Sequence, residues 1–409
     1  MPAVSDTGAG RIAAAVASAV AGVAAATGLA SVGAASYFAR RVVTPESERP
    51  DDALVTALDR AADPPTVTFR ADEWSTAPGR YGLWFAADTG HARIGDVLSH
   101  DDDRGEVTRE LCGVDQGDLA PGPARWSGYY FAGPPDRSLG LSHENVRIAG
   151  ELGDNPAWLV PAGDGARWAV LVHGRGATRE ECLRAVPVLH GLGITALVVS
   201  YRNDPDAPAS LDGRYGLGLH EWRDVDAAMA YAVGRGAQDL ILFGWSMGGA
   251  IVLQTLEHSR GSERVSRAVL DGPVVDWADV IRHQAAINKV PRPVGALGRI
   301  LLGGKVGRRL IGLHEPLEIG LTDWVARADE LRHPMLLIHS QDDGFVPSGP
   351  SAALAAARPD LVTYARWEVA EHCREWNTDP QRWERLVHDY CAGPDPRAGR
   401  EALAAATRQ

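Results

Sequence analysis

The sequence predicts an α/β fold: a mostly parallel central sheet with helices on both faces, a helical cap insertion late in the chain, and a β-rich N-terminal module. Three observations carry this. From Trp168 onward, short buried apolar runs alternate with amphipathic helical stretches, the pattern of βα units in a parallel sheet. The alternation breaks between Asp271 and Leu331, where helical and proline-containing pieces replace the next strand. Finally, the apolar run Leu240 to Phe243 passes through Gly244-Trp245-Ser246-Met247-Gly248 directly into the helical pattern Gly249 to Glu257. A strand that reverses into a helix this sharply holds its central serine in a strained turn, and glycines on either side keep that turn free of clashing β-carbons.

The 409 residues allow one large domain with additions or two domains, with 45% apolar and 23% charged residues in the ordinary soluble range. A net charge of −12 and the lack of a basic stripe argue against a nucleic-acid partner. Cys112, Cys182, Cys373 and Cys391 are scattered without C-x-x-C spacing, so free thiols are expected and no metal site is read from them.

Taken in order, residues 1–43 read as an Ala-rich leader or membrane anchor. The uncharged stretch 12–39 is long enough to cross a hydrocarbon core of about 30 Å, although alanine makes insertion marginal. Arg40-Arg41 behind it outweigh Arg11 ahead of it, placing the following body on the cytoplasmic side; export and a soluble leader are the alternatives. Residues 44–65, with Pro45, Pro50, Pro64 and Pro65, read as a linker carrying at most one short helix around Ala53 to Arg60. Runs such as Thr66 to Phe69, Tyr81 to Phe85 and Trp126 to Phe131 between Gly, Pro and Asp clusters make 66–144 a β-rich module. The run Asp101-Asp102-Asp103 lacks the ligand spacing and glycine of a calcium loop and reads as a solvated turn.

Residues 145–395 form the α/β unit. Val146 to Ile148 and Trp158 to Val160 are two strands joined through Gly150 to Pro156, and Trp168 to Val172 is a buried third. Helix Glu180 to Leu189, strand Ile194 to Ser200, helix Leu219 to Val233, strand Leu240 to Phe243, helix Met247 to Glu257 and strand Ala268 to Leu270 follow. The insertion, about 272–331, holds helical patterns at Trp277 to Ala286, Val294 to Leu302 and Leu321 to Leu331. Strand Met335 to His339, helix Pro350 to Ala357, strand Val362 to Val369 and a helix from Pro380 to about Cys391 complete the unit, with 396–409 as a tail.

A serine hydroxyl is a weak nucleophile at neutral pH and needs a base within reach and a third group to orient that base. In a parallel sheet such groups gather at the carboxyl ends of the strands. Asp343 follows the strand ending at His339, and His372 follows the strand ending at Val369, giving the order serine, acid, histidine. Asp342 and Asp271 remain alternatives for the acid; His190, His258 and His283 fall on helical patterns, and His173 and His339 end strands in other roles. Charge developing on an attacked carbonyl requires fixed donors. The Met247 amide at a helix start is one, and the Arg175 amide in His173-Gly174-Arg175-Gly176 is the second. Arg202 after its strand, and Trp277 and Trp324 in the insertion, are candidate substrate contacts.

Together these segments resemble the α/β-hydrolase superfamily from Val146 to the last helix. Four separated motifs carry the resemblance: His173 to Gly176, Gly244 to Gly248, the acid turn His339 to Pro347, and Glu371-His372-Cys373. In detail the chain is similar to serine aminopeptidase-like and dienelactone-hydrolase-like members, particularly actinobacterial hydrolases with a Tyr201-Arg202-Asn203 turn. The resemblance implies the α/β-hydrolase fold and hydrolysis through an acyl-serine, without metal or organic cofactor. It also implies a small-molecule acyl substrate, a carboxylic ester first, with peptidase and thioesterase chemistry on the same triad as alternatives. A catalytically silent binding fold would lack a triad member, and here none is missing. The oligomeric state is not legible, and membrane association would run through residues 12–39.

Overall fold

Alternation of inward apolar and outward polar residues closes the first strands into a barrel. The computed structural model describes residues 31–45 and 49–393. Helix α1 (31–43) precedes β1 (Ala53–Asp59), β2 (Thr66–Arg70), β3 (Tyr81–Phe85), β4 (Gly90–Asp101), β5 (Glu106–Gln116) and β6 (Gly122–Ser127). These six run in the order β1-β2-β5-β4-β3-β6, every pair antiparallel, and β6 pairs back onto β1 so that no edge stays open. Val67, Phe69, Leu83, Ile94 and Val107 fill the interior. The buried Arg109 guanidinium donates to the carbonyls of Ser75, Ala77, Gly79 and Gly95, which ties the loop before β3 to the barrel wall.

After a short helix α2 (Pro135–Ser138), the hairpin β7 (Glu144–Gly150) and β8 (Gly153–Val160) opens a second sheet. It continues with β9 (Arg167–Val172), β10 (Thr195–Val199), β11 (Asp239–Trp245), β12 (Val265–Asp271), β13 (Met335–Ser340) and β14 (Val362–Trp367). The spatial order is β14-β13-β12-β11-β9-β10-β8-β7, with β9 to β14 parallel and β7 and β8 antiparallel. Near-continuous apolar strands suit a sheet covered on both faces. Val170, Leu242 and Leu270 pack on one face, Leu171, Phe243 and Ile338 on the other. Helices α4 (Trp222–Gly234) and α5 (Met247–His258) cover the first face; α3 (Val186–Gly191) and α11 (Pro380–Ala392) cover the second. Between β12 and β13 lie α6 (Trp277–Ile287), α7 (Arg292–Gly303) and α8 (Gly307–Ile311); α9 (Gly349–Ala357) and α10 (Glu375–Thr378) complete the set. From β9 the chain steps to β10 on one side and then crosses to β11 on the other. That reversal opens a crevice at the carboxyl ends of β9 and β11, where ligands gather in sheets of this kind.

The structure corrects several expectations. Residues 53–59, read as a short helix in a linker, form β1: Val55 faces the barrel core and pairs with Phe69, so the barrel takes the second half of that linker. The barrel ends at Ser127 rather than near 144. Leu321 to Leu331 is not a helix but two short 3-10 turns, Ile319–Thr322 and Ala328–Glu330. Glu180 to Leu189 divides into a 3-10 turn, Arg179–Ala185, and α3, because Pro187 in the first turn of α3 has no N–H to continue a helix begun earlier.

Of the stretch 12–39 read as a possible membrane span, only 31–39 lies among the described residues. Residues 31–39 belong to α1, whose Ala35, Ala39 and Val43, four apart on one face, are buried in the core beside the second sheet. The remainder of that stretch, 12–30, lies outside the described residues, as does the tail 396–409. Among the described residues no helix is long and apolar enough to cross a membrane.

Candidate active site

Three strand ends meet in the crevice. Ser246 sits between β11 and α5 with φ 50° and ψ −117°, a backbone region that non-glycine residues rarely occupy. The glycines around it answer close approaches. A β-carbon at Gly244 would lie 2.5 Å from the Gly248 carbonyl oxygen, and one at Gly248 would lie 2.2 Å from the Val172 carbonyl oxygen. The turn is tied down by the Ser246 amide donating to the Asp271 carbonyl at 3.0 Å. What emerges is a hydroxyl fixed at the sheet edge.

His372 lies in a loop whose neighbours Glu371 and Cys373 both have positive φ. Its Nε2 is 2.9 Å from the Ser246 Oγ, and its Nδ1 is 2.7 Å from Oδ2 of Asp343. Asp343 is buried and collects further donors: the amides of Phe345 and Val346, each 2.8 Å from Oδ1, and Nε2 of His339 at 3.1 Å. Burial opposes its charge, but the neighbouring His372 and His339 outweigh this and hold its pKa well below the usual carboxylate range. Since a carboxylate accepts, Nδ1 of His372 carries a proton, which leaves Nε2 to accept from the serine. His339 also donates through Nε2 to the Val346 carbonyl at 3.0 Å, so its Nδ1 accepts from the Ser351 hydroxyl at 2.8 Å. It holds the Asp343 carboxylate, a contact its place at a strand end did not reveal.

The two alternative acids do other work. Asp342 accepts from the amides of Ala370 and Glu371 and from the Ser340 hydroxyl, shaping the loop ahead of His372. Asp271 is fully buried and accepts from Trp383 Nε1 at 2.8 Å.

The loop after β9 packs against Ser246: a β-carbon at Gly174 would sit 3.1 Å from Cβ of Ser246. The Gly174 amide is committed to Glu181 Oε2 at 2.6 Å, and the Gly176 amide to the Tyr215 hydroxyl at 3.1 Å. The Arg175 amide lies between them on the same turn. Met247 is the first residue of α5, so its amide has no acceptor within the helix.

A cavity of about 230 Å³ adjoins this centre, lined by α6, α7, the C-terminal part of α1, Arg175 and Phe345. The Phe345 ring lies 5.1 Å from the His372 ring. Trp277 lines the cavity, its Nε1 donating to the Leu217 carbonyl at 2.9 Å. Trp324 does not: it is buried in the core beneath Arg327. Nor does Arg202, which is buried against Asp224 at 2.7 Å and reaches Glu151 at 3.1 Å. Their apolar or ion-paired surroundings leave neither facing the cavity. Among the described residues no group of three His, Cys, Asp or Glu could hold a metal ion.

Behind the turn, Glu375 is fully buried beside Asp271. As two carboxylates, neither Glu375 oxygen nor Oδ1 of Asp271 would have a donor, whereas a proton on Glu375 supplies one hydrogen bond. Burial, and then the adjacent Asp271, push the Glu375 pKa well above its ordinary value. The folded chain therefore keeps a proton that the unfolded chain releases above about pH 4.5, and stability falls as pH rises from there towards the folded pKa. Glu375→Gln keeps the donor and removes the titration. Thermal melts should show it gaining on the parent as pH rises from 4.5 to 8.5, by roughly 1–3 kcal/mol at the top of that range. A difference independent of pH would refute the shared proton.

Comparison with known proteins agrees with this architecture. A family model described as the alpha/beta hydrolase family matches residues 169–408, and a domain of unknown function (DUF8805) matches 55–127. No curated protein matches the chain. Among solved structures, the esterase Pf2001 of Pyrococcus furiosus is 15% identical, covering 64% of this chain and 96% of its own, with a TM-score of 0.48. Esterase RhEst1 from Rhodococcus sp. ECU1013 is 19% identical over 60% and 98%, at 0.43. The esterase domain of a Rhodothermus marinus protein is 20% identical over 61% and 98%, at 0.42.

Proposed function

Because the chain belongs to the alpha/beta hydrolase family, we propose that it is a serine hydrolase that cleaves carboxylic esters through an acyl-serine intermediate. The observation that carries this reading is the continuous hydrogen-bonded series Ser246 to His372 to Asp343, at 2.9 and 2.7 Å. In the first half-reaction Oγ of Ser246 attacks the ester carbonyl carbon and its proton passes to Nε2 of His372. Asp343 stabilises the imidazolium and keeps the ring in place. The oxyanion accepts from the amides of Met247 and Arg175. Collapse expels the alkoxide, which takes the proton from Nε2. Water then enters, gives a proton to His372, and attacks the acyl-serine; the acid departs and Ser246 regains its proton.

An ester of an apolar acyl group is favoured over a peptide with a free amino terminus. Among the described residues the charged groups lining the cavity are Arg41 and Arg175, both cationic, which disfavours an ammonium group there. A fluorophosphonate probe should label the parent at Ser246 and leave Ser246→Ala unlabelled. A panel of esters, thioesters and aminoacyl amides compared by kcat/KM tests the substrate class. Turnover of amides alone would exclude the esterase reading, and an unlabelled but folded parent would exclude the mechanism.

A further inference from the structure

Helix α1 meets the catalytic crevice twice. Phe38, Ala39, Arg41 and Val42 form one wall of the cavity whose far end is built by Arg175 and Phe345. The helix lies close against the cap. A β-carbon at Gly298 of α7 would stand 3.5 Å from the Ala35 carbonyl oxygen and 3.9 Å from Cβ of Ala39.

Its end is held in a specific way. The last carbonyls of a helix have no donor within it. Here Nε of Arg175 donates to the Val42 carbonyl at 2.9 Å, and Nη2 donates to the carbonyls of Arg41 at 2.8 Å and Thr44 at 2.9 Å. The Tyr215 amide donates to the Val43 carbonyl at 2.8 Å. A planar guanidinium can serve several carbonyls at once, and its charge faces the negative end of the helix dipole. The backbone of that arginine belongs to the turn packed on Ser246. Gly176 of the same turn accepts from Arg49, just beyond the helix.

We propose that α1 is a working part of the active site: it walls the acyl subsite, and through the Arg175 guanidinium it positions the amide that meets the oxyanion. This rests on the serine-esterase reading given above. Arg175 thus acts twice, its amide on the reacting oxygen and its side chain as a positioning group. The acyl group that fits is small to medium and apolar, since the cavity is below the usual 300–1,000 Å³ range of ligand sites.

The test uses the full chain with p-nitrophenyl acetate, hexanoate and octanoate. Ala39→Phe intrudes on the wall and should lower the hexanoate-to-acetate ratio of kcat/KM by about tenfold or more. Arg175→Ala and Arg175→Lys should lower kcat roughly 10- to 100-fold while KM for acetate changes little, because the donor is displaced rather than binding lost. Added guanidinium ion should restore part of kcat in Arg175→Ala and none in Arg175→Lys. An unchanged chain-length ratio in folded Ala39→Phe overturns the wall, and parental kcat in the Arg175 variants overturns the positioning role. Should the Arg175 variants melt at assay temperature, kcat measured below their melting temperatures decides the positioning role, and the Ala39→Phe ratio decides the wall. Fluorophosphonate labelling of the parent separates these outcomes from failure of the esterase reading, which would leave Ser246 unlabelled from the start.

Discussion

Ser246→Ala should lower kcat/KM for an ester substrate by roughly 10⁴- to 10⁶-fold, leaving only the residual rate that bound, oriented substrate and the two amides provide. Removal of the hydroxyl takes away the bond-forming atom, so no neighbour compensates: His372 then faces a methyl group across the position that was 2.9 Å away. Substrate binding should change far less than turnover, because the cavity is lined by residues other than Ser246. A second substitution separates chemistry from folding. Ser246 occupies φ 50° and ψ −117°, which glycine adopts without a β-carbon penalty. Ser246→Gly should therefore be as inactive as the alanine variant yet more stable than it by about 1–3 kcal/mol. Equal melting temperatures would show that the elbow stores no strain, and activity above one-hundredth of the parent in either variant would rule out Ser246 as nucleophile.

Asp343→Asn is expected to lower kcat about 10⁴-fold with KM nearly unchanged. The amide offers the imidazole a donor where Nδ1–H needs an acceptor, so His372 adopts the wrong tautomer and loses the charge that stabilises its protonated form. The damage extends beyond the histidine, since the amides of Phe345 and Val346 and Nε2 of His339 all converge on this carboxylate. The pH dependence follows in sign. The folded pKa of Asp343 lies below its ordinary 3.8, so its ionised form stabilises the fold above about pH 3.8, and that contribution is lost as pH falls from there. Urea titrations should show the stability gap between parent and variant widest near neutrality and closing in acid. A gap that persists unchanged at low pH would mean that the ionised carboxylate contributes nothing.

Much of this site was legible because each part obeys a local rule. Gly244 and Gly248 announce a turn that no side chain could enter, and the structure gives the reason in carbonyl oxygens 2.5 and 2.2 Å from where β-carbons would stand. Asp343 and His372 each follow a strand end, and strand ends share one edge. What escaped depends on partners far away in sequence. His339 reads as the last residue of a strand, and only the fold brings it to Asp343 together with Ser351. Arg202 has the same local signature as a mouth-lining cation, but Asp224 from α4 claims it. Trp324 and Trp277 look alike on helical patterns; both are buried in the core, and of the two Trp277 reaches the cavity. Residues 31–39 are apolar enough for lipid or for protein, and hydropathy alone does not reveal that they pack on α7. The segment around Ala53 failed for a related reason: seven residues of mixed propensity take their conformation from β2 and β6.

The segment that carries His372 is gripped by the barrel and the residues that follow it. Asn377 donates through Nδ2 to the carbonyls of Arg80 and Gly128 and accepts from the Arg80 amide, while Trp376 packs on Tyr130 and Phe131. One of these bonds spans 297 residues, and the bond from Arg184 to the Cys373 carbonyl spans 189. Chains made from the amino terminus fold their early domains first. The barrel, the turn at Ser246 and the turn after β9 all precede in sequence the segment that carries His372, so that residue is the last of the site to be made. The series from Ser246 through His372 to Asp343 therefore closes where segments 297 residues apart in sequence meet.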